Sequence, residues 1–84
     1  MQRASADRIL WRCRRGMKEL DLLLEHFARE HYPHAPQAHR RAFERLLDLP
    51  DPRIVELLLD ATELPAADPE LAGVVALVAA AARR

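Results

Sequence analysis

The stretch WRCRRGMKELDLLLEHF, Trp11 to Phe27, decides how this chain folds. At 100° per residue, Met17, Leu20, Leu23, Leu24, Phe27 and His31 gather on one face, and Lys18, Asp21, Glu25 and Arg29 take the other. That spacing predicts an amphipathic helix over 17–31. Upstream, Ala6, Ile9, Leu10 and Cys13 make an inward stripe, which predicts a first helix over 5–15. Gly16 falls between the two. A glycine inside a helix costs roughly 0.5–1 kcal/mol relative to alanine, so Gly16 reads as a stop, with Arg14 and Arg15 facing the negative end of the first helix dipole. A residue without Cβ at an exposed corner also lets a partner's backbone come close, and both readings of Gly16 stand at this point.

Downstream, prolines at 33, 36, 50, 52, 65 and 69 punctuate segments with helical periodicity. Helices are expected over 36–47, 52–61 and 69–82. Asp51-Pro52 and Asp68-Pro69 each offer a side-chain acceptor at N-cap followed by proline at N1. The third helix aligns Ala38, Ala42, Phe43, Leu46 and Leu47, and the fifth aligns Leu71, Val74, Val75, Val78 and Ala82. Ile54, Val55, Leu57, Leu58 and Leu59 make the fourth apolar nearly all round, as expected of a central element. The class is therefore all-α: a compact five-helix bundle, with residues 1–84 forming a single domain whose 84 residues suffice for one core and not two.

Charge sums to zero but is unevenly spread. Arg3, Arg8, Arg12, Arg14, Arg15 and Lys18 oppose Asp7 alone at the start of the chain, whereas the segment from Glu44 to Glu70 is acidic. Such a dipolar domain points towards a protein partner and away from general nucleic-acid binding. The longest apolar run, LAGVVALVAAAA, is far shorter than the ~20 residues a membrane span requires, so no membrane insertion is expected. MQRASADR lacks the apolar segment of a secretory signal, and the chain is expected to start where the domain starts. The single cysteine, Cys13, cannot form an internal disulfide and suits a reducing compartment, so a cytoplasmic location is expected.

Several constellations could carry chemistry. Trp11 lies off the inward stripe, one turn from Arg8 and one from Arg15, which sets an indole beside guanidinium groups either at a binding surface or over the core edge. Glu19, at the start of the second helix, interacts well with the positive end of its dipole. With Arg15 it could also present a donor and acceptor pair across the corner. Of His26, His31, His34 and His39, the first two are spaced wrongly for one helix face and no second ligand cluster supports them, so no metal site is expected. Ser5 and Thr62 lack a histidine partner and Cys13 faces inward, so no catalytic residue is assigned and an enzyme is not expected. Composition and spacing alone lead to a small helical interaction domain.

The string RRGMKELDLLLEHF closely resembles the signature of the small succinate dehydrogenase flavinylation factors, built around an Arg-Gly-x-x-Glu motif that Arg15, Gly16 and Glu19 match. Resemblance continues through WRCRRG, FERLLDLPDP and DPEL, and so covers most of the chain. It implies a five-helix assembly chaperone that binds the flavoprotein subunit of succinate dehydrogenase, and often of fumarate reductase, and promotes covalent attachment of FAD to a histidine of that subunit. Such a factor holds no cofactor of its own and acts on FAD bound to the partner. Arg15, Gly16 and Glu19 become the expected contact corner, with Arg8, Trp11 and Met17 as neighbours by helical geometry, presented by a monomer. The segment PRIVELLLD has leucine where members of that family often carry tryptophan, so a role for that ring does not transfer. An antitoxin-like or regulatory protein-binding module is the alternative, since members of the family have also been labelled toxin–antitoxin components.

Overall fold

Apolar spacing sets where the helices lie. The computed structural model describes residues 8–60 and 68–80. Among them are α1 (residues 8–12), α2 (Lys18–Glu30), a 3-10 turn (Tyr32–His34), α3 (Gln37–Asp48), α4 (Asp51–Leu58) and α5 (Pro69–Ala80), with no strand. The chain adopts the all-α, five-helix architecture expected from its sequence. Its radius of gyration, 11.8 Å, matches the roughly 12 Å of a compact chain of this length.

α2 follows the apolar repeat from cap to cap. Met17 and His31 are its caps, in agreement with the expected span, and Leu20, Leu23, Leu24, Phe27 and Ala28 are buried along it. Met17 and His31 themselves are exposed, although the periodicity placed them on the core face, because each sits beyond the regular turns that press on the core. The His31 ring instead stacks on Phe27, with centroids 5.5 Å apart. Phe27 meets Phe43 of α3 at 4.6 Å, and Tyr32 also meets Phe43, at 5.9 Å. Offset aromatic contacts of this kind add to the burial of their area.

The central helix is α5, not α4 as its composition suggested. α5 packs against α2, α3 and α4, and buries Leu71, Val74, Val75 and Val78. In α4, Ile54, Leu57 and Leu58 are buried, but Val55 is half-buried and Leu59, at the C-cap, is exposed. Ala38 is also exposed, because it lies in the first turn of α3, ahead of the buried Ala42 and Phe43. Ala6, Ala82 and the expected ends of the first, fourth and fifth helices lie outside the described residues.

The two Asp-Pro steps behave differently. Asp68 caps α5 as expected: its Oδ1 accepts the Leu71 N–H at 3.2 Å, and both its oxygens accept Arg45 Nη2 at 3.1 Å. Asp51 does not cap α4. That helix begins one residue early, with Pro50 at N-cap and Asp51 as its first helical residue, and no side-chain cap bond is made. The Asp51 carboxylate is taken by an arginine from the start of the chain.

Candidate functional site

The corner between α1 and α2 is wider than the sequence suggested. The Cys13 N–H still reaches Ile9 O at 3.1 Å, and the Arg14 N–H reaches Trp11 O at 3.1 Å in a tighter turn. Arg15 has left the helix altogether. Its N–H is held by Asp21 Oδ1 at 2.8 Å, and the Gly16 N–H by Asp21 Oδ2 at 3.2 Å. One carboxylate, reaching back from α2, therefore satisfies two consecutive backbone donors that no helix serves. Gly16 has φ +81°, a left-handed conformation that costs an ordinary L-residue roughly 1–2 kcal/mol. A Cβ built there would meet nothing within 4 Å among the described residues. Backbone conformation, not crowding by the described residues, requires glycine at this point. Gly16 is thus a turn residue inside the connection and not the residue next to a helix end.

The inner side of the corner is fastened by two arginines with the same pattern. Arg12 donates to Glu44 O at 3.2 Å and pairs with Asp48. Three residues later, Arg15 donates to Leu47 O and, at 3.2 Å, to Asp51 Oδ1. Each guanidinium reaches a carbonyl 32 residues ahead and a carboxylate 36 residues ahead, so the helical repeat of one segment is matched to that of another. The Arg15 side chain is only 18% exposed, and its Nε is buried with no hydrogen-bond partner among the described residues. Arg15 does not pair with Glu19, contrary to the arrangement the sequence allowed, because its guanidinium is turned into the α3–α4 junction.

The outer side is different. Trp11 is 70% exposed, which settles its place at the surface and not over the core edge. Its cationic neighbour is Arg14, whose Cζ stands 5.1 Å from the ring centroid, in place of the expected Arg8 and Arg15. Arg8 is exposed, Met17 is 38% exposed, and Glu19 is exposed in the first turn of α2, making no hydrogen bond or ion pair among the described residues. The corner therefore shows an indole, a guanidinium, a thioether, an open glycine and a carboxylate within nine residues of sequence.

Cys13 is fully buried, and burial, helped by the nearby Glu25 charge, pushes its thiol up to about 12. A protonated, inaccessible thiol is no nucleophile. The rings of His26 and His31 lie 5.8 Å apart, yet among the described residues no three side chains of metal-binding type come together. No described helix is long and apolar enough to cross a membrane.

Sequence reasoning missed Asp21, Asp51, Arg12, Asp48 and Arg14. A signal for three of them was present: Arg12 stands three residues from Arg15, and Asp48 three from Asp51, which is one helical turn in each case. Asp21 carried a weaker one, as an acidic residue near the start of a helix that follows glycine.

A family model described as the flavinator of succinate dehydrogenase matches residues 7–82, and so includes the whole corner. An FAD assembly factor SdhE of Coxiella burnetii is 44% identical over 55 residues, covering 66% of this chain and 67% of the relative. One of Methylococcus capsulatus is 54% identical over 44 residues, 52% of this chain and 53% of the relative, and one of Pseudomonas putida is 35% identical over 78 residues, 93% and 90%. No solved structure matches the chain. With nearly its full length matched, this chain belongs to the Sdh5 family, the flavinators of succinate dehydrogenase.

Proposed function

We propose that this chain binds the flavoprotein subunit of succinate dehydrogenase through the corner formed by Arg15, Gly16 and Glu19, flanked by Arg8, Trp11 and Met17, and so promotes covalent attachment of FAD to that subunit. As a member of an assembly-factor family it is not an enzyme. It holds no flavin of its own and acts as a monomer in the cytoplasm. The flavoprotein of fumarate reductase is a second client of the same surface.

The observation that carries the reading is the coincidence of family and geometry: a flavinator match spanning residues 7–82 includes a corner with an exposed tryptophan, an open glycine and an exposed glutamate. Exposed tryptophan with arginine has the composition of a binding hot spot. Docking of such a surface beside the flavin would favour the client conformation in which the client's own groups complete the bond, so that acceleration comes from pre-organisation.

Deleting the gene and measuring covalent flavin by in-gel fluorescence of the client subunit tests the reading. Loss of flavin fluorescence, restored by the intact chain, is expected; unchanged flavinylation overturns it. Capture of the apo flavoprotein subunit by the purified chain tests the contact separately.

A further inference from the structure

We infer that Arg15 serves docking from beneath the surface: with Asp51 and Asp21 it is a positioning residue that holds the Gly16 corner in the one backbone shape that presents the outer residues. The inference rests on the docking reading above and extends it to two residues outside the Arg-Gly-x-x-Glu pattern.

Arg15 is gripped at both ends. Its backbone N–H is bound by Asp21 of α2, while its guanidinium is bound by Leu47 O and by Asp51 at the α3–α4 junction. Asp51 meets its charge at 3.2 Å, and four-fifths of the side chain is withdrawn from solvent at 18% exposure. A cation so occupied offers little to a partner. Arg14, next in the chain, carries the exposed charge over Trp11. Gly16 follows Arg15 directly, its own N–H on the second oxygen of Asp21. Loss of either grip frees a left-handed residue whose φ of +81° is one choice among several for glycine. A docking surface built on that residue then loses its register, and displacements of about 1 Å can cost on the order of 100-fold in a pre-organised complex.

A double-mutant cycle with the full chain and the apo flavoprotein subunit of succinate dehydrogenase tests this, with affinity measured well below the melting temperature. Arg15→Ala and Asp51→Ala should each weaken affinity about tenfold, and the double variant should be no weaker than Arg15→Ala, because both remove one bracket. Asp51→Asn, which keeps an acceptor for Arg15, should recover part of the loss. Asp21→Ala should speed hydrogen exchange at the Arg15 and Gly16 amides and lower affinity comparably. Should Asp51→Ala fail to fold, Asp51→Asn carries the cycle.

Trp11→Ala and Glu19→Ala report on the docking reading itself. If they weaken binding while Asp51→Ala and Asp21→Ala bind like wild type, or if the Arg15–Asp51 losses simply add, Arg15 touches the partner directly and the positioning role is wrong. If Trp11→Ala, Glu19→Ala and Arg15→Ala all leave affinity unchanged, the docking reading falls and takes this inference with it.

Discussion

Arg14 and Arg15 are neighbours in the chain and belong to opposite sides of one corner. Arg14 lies over an indole that is 70% exposed, whereas Arg15 runs inward to Leu47 and Asp51. The difference follows from where α1 ends. Had the helix continued to residue 15, adjacent side chains would have stood about 100° apart on one cylinder. Because the backbone leaves the helix after Cys13, successive residues turn to opposite sides, and the chain separates an anchoring arginine from a presenting one. One side is structural and bound by tertiary contacts; the other is free for a partner.

The largest expected effect erases both sides together. Phe43→Ala removes a fully buried ring that Phe27 and Tyr32 contact, and should cost about 3–5 kcal/mol, read as a lost or greatly lowered thermal transition. Next comes the inner side alone: Asp21→Ala leaves two backbone donors without their carboxylate and should cost about 1–3 kcal/mol by urea unfolding. Gly16 divides the two sides more finely. Gly16→Ala should cost about 1–2 kcal/mol through its φ, whereas Gly16→Asn, better tolerated in the left-handed region, should cost less while still placing atoms in the open space where a partner would come. Near-normal stability with lost flavoprotein capture in Gly16→Asn would sharpen the division; normal capture would remove Gly16 from the contact.

Alkaline titration probes the inner side without mutating the corner. Cys13 has its folded pKa raised to about 12 from an unfolded value of 9.0, so the native state keeps a proton that the unfolded state releases. Stability is full below pH 9 and declines as pH rises towards 12, by at most about 1.4 kcal/mol per pH unit. Thermal melts at rising pH should show the decline, and Cys13→Ala should reduce it, leaving the share above pH 10 that Tyr32 contributes, its hydroxyl being pushed up to about 12 by burial and by its hydrogen bond to Glu44. The smallest stability effect belongs to the outer side: Trp11→Ala should change unfolding by no more than about 0.5 kcal/mol, since the ring is mostly in solvent, while weakening capture of the flavoprotein. A large loss of stability there would dissolve the distinction between the sides.

The helices were readable because their information is local. The 3.6-residue repeat placed α2 to within its caps, and Asp68-Pro69 announced the start of α5 with the bond it makes. Asp51-Pro52 carries the same two letters and misled, because a distant arginine competes for the carboxylate and α4 starts from Pro50 instead. The Arg15 side chain is drawn away from its sequence neighbours in the same manner. Its sequence neighbours Gly16 and Glu19 suggested a shared outward role, but its side chain is claimed by residues 32 and 36 positions away. Centrality of α5 over α4 was likewise hidden, since composition reports how apolar a helix is and not what surrounds it.

The paired reach of Arg12 and Arg15 also bears on the order of folding. Leu47 is among the last residues of α3, whose terminal carbonyls have no partner within the helix, and Arg15 supplies one from far away in sequence. Closing so long a loop carries an entropy cost that only a formed α3 and α4 can offset, so these contacts belong to the late stages of folding. The corner is consequently a marker of completion: by this geometry a chain that is only partly folded has helices but no shaped corner.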